Sequence, residues 1–377
     1  MEKGKRKCKL VLGNGFDLYC GLNTRYQDFF NNQKDKLEII DTWCKGIEEG
    51  IFRTNDTIND NNLFIPSISL DNEVCFWDLL FYFDPKFDRK NNWCDVEQFI
   101  LDFFVVESIT KETIFDMLYN HVKNEIIVFS PDYQWLKYPY IYLKNIRINT
   151  KSKIDFATQL LDELNKFEKK FGEYVDDEFQ RKLLNEFKVS YQTFYMQIQS
   201  AWNVNSIDTF NYTSLECLNN DLGIYNEIVH HVNGDYKQPI FGIDSSKFTV
   251  SKPAYIFTKT YRRITADFYE GEKNFCILGK DFDDIVIFGH SLNEQDYNYY
   301  FPLFDYINLM DINSNKGIYF YYNIYDTKKR RFIKNTNIKN LVKMLNAYEK
   351  YKTNKAEDFR LVETLSSQGR LRFKEVK

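Results

Sequence analysis

Short apolar runs that each stop at a small or polar turn constrain this chain more than anything else in it. Residues 10–12 stop at Gly13, 206–210 lead into Asn211, and 228–232 lead into Asn233 and Gly234. Residues 240–241 stop at Gly242, 284–288 stop at Gly289, and 317–324 make one more run. Runs this short, apolar on successive residues rather than alternate ones, suit strands buried on both faces. Both faces are buried when helical crossovers cover a parallel sheet. Ligands of such sheets bind beyond the carboxyl ends of the strands. The turns at Gly13, Asn211, Gly234 and Gly289 are therefore expected along one edge.

Between the first run and the next the pattern is helical. Thr24-x-x-Gln27 has the form of a capping box, so a helix is expected to start near Thr24. Val96, Phe99, Ile100, Phe103 and Phe104 recur at three- and four-residue spacing, and residues 152–200 continue that period. Residues 130–150, with Pro131 and Pro139, read as strand or loop, and 52–75 open on a polar cluster that reads as a surface loop. A stretch of about 170 residues is longer than any loop of a compact domain. The expected organisation is an α/β core from residues 1–30 and 203–330, a mainly helical insertion over 31–202, and a C-terminal helix and tail over 331–377.

Composition narrows the function classes. A net charge of −4 gives no global pull toward nucleic acid or anionic membrane. No stretch approaches the roughly 20 apolar residues of a membrane span. The basic run before Lys9 meets too few apolar residues for a signal-peptide core, so a cytoplasmic protein is expected. The seven cysteines show no metal-knuckle or redox spacing and are expected to be reduced and packed. Only four histidines, His121, His230, His231 and His290, are available to any imidazole mechanism.

The first turn reads Gly13-Asn14-Gly15-Phe16-Asp17. Paired glycines after a strand allow positive φ and close approach of a ligand to the backbone, and free N–H groups there suit a phosphate. The spacing is not the Gly-x-Gly-x-x-Gly of an ordinary dinucleotide fingerprint. Asn211 can both donate and accept, as a ribose or a carboxamide requires. His230 and His231 alternate, so one faces a pocket and the other the core or a helix. His231, nearer the turn, is expected to face the pocket. Gly289-His-Ser-Leu-Asn293 superficially matches a nucleophile elbow, but glycine is missing at the fifth position and no histidine follows Ser291. Lys259, Arg262 and Arg263 read as a solvated face or, less simply, as a phosphate contact.

Four stretches taken in order point to a family. Leu-Gly-Asn-Gly-Phe-Asp-Leu at 12–18, with Gly-Leu-x-Thr at 21–24, resembles the N-terminal signature of the AbiH family of bacterial abortive-infection proteins. Trp93-Cys-Asp-Val-Glu97 resembles its Trp-x-Asp-x-Glu helix, and Phe210-Asn-Tyr-Thr213 with Leu215 and Glu216 its Asn-Tyr-Thr turn. Phe288-Gly-His-Ser-Leu292 with Asp296 resembles its Gly-His-Ser-Leu motif. The set is similar, more distantly, to the sirtuin-like domains of defence proteins, which surround NAD with comparable turns.

The resemblance implies a Rossmann-like, sirtuin-like parallel sheet and a pocket for NAD or a related nucleotide, with no metal. It implies a lining of Gly13, Asn14, Gly15, Phe16, Asp17, Thr213, Gly234, Gly289, His290, Ser291 and Asp296, with His231 and Asn211 as the catalytic pair. Two positions depart from the sirtuin-like pattern. Thr213 stands where those domains carry aspartate, and Asn233 precedes Gly234 where their catalytic histidine sits. Two functions therefore stay open: an anti-phage effector that cleaves NAD to nicotinamide and ADP-ribose, and a nucleotide-sensing module acting through a partner. The expected partners are a nucleotide, a phage trigger or partner protein engaged through the helical insertion, and a second copy of the chain. Membrane and nucleic acid are not expected.

Overall fold

The computed structural model describes residues 5–54, 74–85, 95–106, 111–182, 187–215, 228–270, 281–354 and 360–376. The polar cluster at 55–62, Trp93 and Glu216 lie outside the described residues. The chain divides into two compact units.

The first unit takes Met1–Thr24, Gly172–Ile240 and Arg263–Lys377. It holds a six-stranded sheet of β1 (Lys7–Leu12), β2 (Asn203–Thr209), β3 (Ile228–His231), β4 (Asp284–Phe288), β5 (Ile318–Asn323) and β6 (Leu371–Val376). The order is β3-β2-β1-β4-β5-β6 and every pairing is parallel. This is the doubly wound, Rossmann-like arrangement. Val11 sits opposite Asp208 on one side and Ile287 on the other, which fixes the register at the centre.

Both faces of the sheet are covered. On one, Cys8, Leu10, Leu12, Val286 and Phe288 pack with Phe187, Tyr191, Phe194 and Ile198 around the helix Lys188–Ala201. On the other, Val11, Ile285, Ile287 and Phe320 pack with Tyr300, Leu303 and Phe304 of the helix Tyr297–Tyr306. Leu341, Met344 and Leu345 of the helix Arg330–Thr353 complete that second layer. The chain leaving β1 turns toward the first face, where Phe16 is buried. The chain leaving β4 turns toward the second. Neighbouring strands whose connections diverge in this way define the switch point of a doubly wound sheet.

Three local expectations change. Residues 240–241 form no strand; the Ile240 N–H is taken by the Asn233 carbonyl at 2.8 Å. The stretch read as a tail after the C-terminal helix supplies the helix Leu361–Ser367 and the edge strand β6. The helix expected near Thr24 is Tyr26–Asn31, but its capping box is Arg25 with Asp28 rather than Thr24 with Gln27, and Asp28 accepts from the Arg25 N–H at 3.2 Å. Thr24 is thereby released to serve the site described below.

The second unit takes Arg25–Phe171 and Phe241–Arg262. Among its described residues the regular elements are helical. Residues 131–145 form a short 3₁₀ turn and the helix Lys137–Asn145. Pro139 lies in the first turn of that helix, where the missing N–H costs nothing. The core is aromatic, with Phe76, Trp77, Phe81, Phe103 and Phe167 buried, and the Trp77 indole donates to the Leu160 carbonyl at 2.9 Å. Glu168 is buried against the Arg262 guanidinium, which also donates to the Phe241 carbonyl. Burial still pushes the Glu168 carboxyl upward despite Arg262. Burial would likewise raise Asp78, but Lys36 and Lys170 beside it hold it below the usual carboxylate range.

Candidate functional site

The turns at the carboxyl ends of β1 and β4 are bonded to each other through backbone. The Gly13 N–H donates to the Phe288 carbonyl at 3.0 Å and the Gly15 N–H to the Gly289 carbonyl at 2.8 Å. A Cβ at Gly15 would stand 2.7 Å from the Gly289 Cα, and Gly289 itself has φ +68°. The glycines are thus required by the approach of one turn to the other. The Phe16 N–H is also taken, by the Gly13 carbonyl at 2.8 Å. The polar side chains of this turn are those of Asn14 and Asp17, and the Phe16 ring packs in the core against Phe187, Tyr191, Phe194 and Phe288.

Asp17 lies in the short helix Asn14–Tyr19 and is 1% exposed. Its Oδ1 accepts from Asn211 Nδ2 at 2.8 Å. The Thr213 hydroxyl sits 3.1 Å from Oδ1 and 3.2 Å from Oδ2. Thr24 Oγ1 lies 3.3 Å from Oδ2 but only 2.7 Å from Asn14 Oδ1. A hydroxyl has one proton to give and can also accept. A protonated Asp17 can therefore donate to Thr24 while Thr24 donates to Asn14, which makes a short relay.

Burial pushes the Asp17 carboxyl up; the bonds from Thr213, Thr24 and Asn211, and the charge of His231, pull it down. Burial wins, and the group titrates at about 7 rather than 3.8. A carboxyl poised there can hold or release a proton under ordinary conditions.

Asn211 is 3% exposed, with its amide nitrogen committed to Asp17. Its Oδ1 is buried with no hydrogen-bond partner. An unmet buried acceptor is costly and is rare without a functional reason. It suits a ligand that brings an N–H or O–H into the site, as a ribose hydroxyl or a carboxamide does. The Asn211 carbonyl lies 3.3 Å from His231 Nδ1. A carbonyl only accepts, so His231 carries its proton on Nδ1 toward it and has Nε2 as its basic nitrogen.

The remaining expected residues lie elsewhere along the same edge. Gly234 follows Asn233, whose Oδ1 accepts from Arg263 Nη2 at 2.8 Å. His290 is buried, and its Nδ1 accepts from the Leu292 N–H at 2.9 Å. The opposite ring nitrogen faces Asp296 Oδ2 at 3.7 Å, and the ring meets Phe210 edge-on with centroids 4.2 Å apart. The Ser291 carbonyl accepts from Asn340 Nδ2 at 2.9 Å. The structure therefore gathers Asn14, Asp17, Asn211, Thr213 and His231 into one cluster, and holds His290 and Asp296 in a second beside Phe210. Lys259, Arg262 and Arg263 form neither a solvated face nor an open patch. Lys259 and Arg262 are buried on Glu97 and Glu168, while Arg263 serves Asn233.

The sequence reading missed a third polar group, on the face of the sheet that carries Val11. Lys9 and Asp208 are both fully buried, with Nζ 2.8 and 3.0 Å from the two carboxylate oxygens. The Tyr299 hydroxyl donates to Asp208 Oδ2 at 2.6 Å, and His230 Nδ1 lies 3.0 Å from Oδ1. Burial and the Asp208 charge hold the Tyr299 phenol well above its ordinary value, so it remains a donor. The signal was a lysine directly before the first apolar run and an aspartate inside the second. Thr24, hidden by its resemblance to a cap, was also missed.

No group of three His, Cys, Asp or Glu side chains that could hold a metal ion occurs among the described residues. No described helix is long and apolar enough to cross a membrane. Cys8, Cys20, Cys44 and Cys75 are buried thiols outside any disulfide. No curated protein matches the chain, and no solved structure does. The family model for bacteriophage abortive infection AbiH matches residues 10–322, which take in every residue of the cluster around Asp17. With most of its length matched in this way, the chain belongs to the AbiH family of bacteriophage abortive-infection proteins.

Proposed function

We propose that this abortive-infection protein binds NAD or a related nucleotide at the carboxyl edge of its sheet and cleaves the N-glycosidic bond. The observation that carries the reading is the buried cluster at the switch point: Asp17 poised at about 7, beside an Asn211 acceptor with no partner. Cleavage of a nicotinamide glycosidic bond needs little acid assistance, because the leaving group departs neutral. It needs stabilisation of an oxocarbenium-like carbon and a base for the attacking water. Asp17, ionised above pH 7, is a negative charge for the first task. The imidazoles at the end of β3 are candidates for the second. In the full reaction the water oxygen bonds the anomeric carbon, and the carbon–nitrogen pair withdraws onto the pyridine ring. Nicotinamide leaves and the base takes the proton.

A second reading, nucleotide sensing through a partner, is favoured by one observation. Asn233, in the position before Gly234, is tied to Arg263 instead of serving as a base. Incubating the purified protein with NAD, with and without lysate of phage-infected cells, separates the two. Nicotinamide release in either arm supports cleavage. Saturable nucleotide binding with no release in both arms supports sensing and rejects cleavage.

A further inference from the structure

Buried ion pairs are expensive, and a buried carboxylate with three separate side-chain partners is seldom an accident of packing. Asp208 has Lys9, Tyr299 and His230. Lys9 supplies the countercharge that a carboxylate needs at a fully buried position. The Tyr299 hydroxyl fixes the second oxygen. The carboxylate can only accept, so the His230 proton sits on Nδ1 and the lone pair on Nε2. The His230 side chain keeps 14% of its surface exposed, while its three neighbours in the group are buried.

The group is also joined to the site turn. The Tyr299 ring packs on Phe210 with centroids 4.9 Å apart, and Phe210 directly precedes Asn211. Asp208 itself lies three residues before Asn211 in the same chain segment. The Nδ1 of His231 faces the neutral carbonyl of Asn211 at 3.3 Å. A carboxylate behind an imidazole fixes its tautomer and stabilises the cation formed when the ring takes a proton; a carbonyl does the first but little of the second.

We propose that His230, oriented by Asp208 and backed by Lys9 and Tyr299, is the base of this site and takes the proton of the attacking water on Nε2. This rests on the cleavage reading above. As that proton moves to Nε2, the water oxygen bonds the anomeric carbon of the nucleotide. The bond from that carbon to the nicotinamide nitrogen breaks with its electron pair on the ring. Asp208, Lys9 and Tyr299 are positioning residues, and Asp17 and Asn211 remain on the sugar and amide side.

The test uses the full chain, labelled with ¹⁵N-histidine, and the variants His230→Gln and His231→Gln. His230→Gln lowers kcat for nicotinamide release by ~100-fold while the calorimetric affinity for ADP-ribose stays within about threefold of the parent. His231→Gln acts mainly on affinity, through the Asn211 carbonyl, and lowers kcat less. In the parent, the His230 signals report an Nδ1–H tautomer, and ADP-ribose shifts its Nε2 resonance. A larger kcat loss in His231→Gln than in His230→Gln overturns the inference and leaves the cleavage reading intact. If the parent releases no nicotinamide yet ADP-ribose still shifts the His230 Nε2 signal, cleavage fails while the placement of His230 at the ligand stands. A His230 signal that ignores ADP-ribose overturns the inference in either case.

Discussion

Replacing Asp17 with asparagine should make this protein more stable at alkaline pH while removing the charge that the proposed cleavage requires. Asp17 is the least favourably placed carboxylate of the site: fully buried, bonded only to neutral groups, and titrating at about 7 instead of 3.8. A tenfold change in proton affinity is worth 1.36 kcal/mol, so keeping the group ionised in the fold costs about 4 kcal/mol. The sign follows from proton counting. Between the two values the folded state holds the proton and the unfolded state has lost it, so stability falls as pH rises. The contribution is favourable relative to the ionised state below about pH 4, declines through the window, and is fully lost above about 7.

The amide of Asp17→Asn does not titrate. Its Nδ2 will face one of the donors now served by the carboxylate, at a cost of about 1–3 kcal/mol that does not vary with pH. The variant is therefore expected to be less stable than the parent at pH 4 and more stable, by about 1–3 kcal/mol, at pH 8. Urea unfolding of both proteins across that range measures the difference directly, and other titrating groups cancel in it. Two parallel pH curves, separated by a constant amount within about 1 kcal/mol, would refute the burial of an uncompensated charge at Asp17.

Other substitutions probe separate parts of the account. Gly15→Ala forces the turns after β1 and β4 apart, because its Cβ would stand 2.7 Å from the Gly289 Cα; a loss of roughly 1–3 kcal/mol in urea unfolding is expected, with loss of nucleotide binding. Lys9→Met leaves Asp208 buried without its cation and should cost about 3–5 kcal/mol by the same measurement. Arg262→Met strips the countercharge from Glu168 in the second unit, with a similar cost. Hydrogen exchange at the Phe241 amide, which donates to Glu168 at 2.6 Å, should accelerate in that variant.

The sheet was legible because β4, β5 and the end of β1 are buried on both faces and carry apolar runs, each closing on a small or polar turn. β6 escaped because it is an edge strand whose residues alternate, Arg372, Lys374 and Glu375 among them, and nothing in 360–377 marks a crossover. Pro139 misled because its meaning depends on position: at a helix start it is tolerated, further in it is disruptive. In the site, Asp17, Asn211 and Thr213 were legible as members of turns expected at one edge. Their direct bonding, and the titration that follows from it, needed the packing of Asp17 against residues almost two hundred positions away. The sequence does not show that a second glycine turn lies against the glycines of the first. Thr24 illustrates a conflict between scales: its local pattern favours a cap, and tertiary contacts with Asn14 and Asp17 override it.

Calorimetric titration of the purified protein with ADP-ribose tests whether the cluster around Asp17 receives a nucleotide. One saturable site per chain is expected, weakened at least tenfold in Asn211→Leu, where the unmet acceptor is gone. Absence of binding at millimolar ADP-ribose, or equal binding by the parent and Asn211→Leu, would contradict the account.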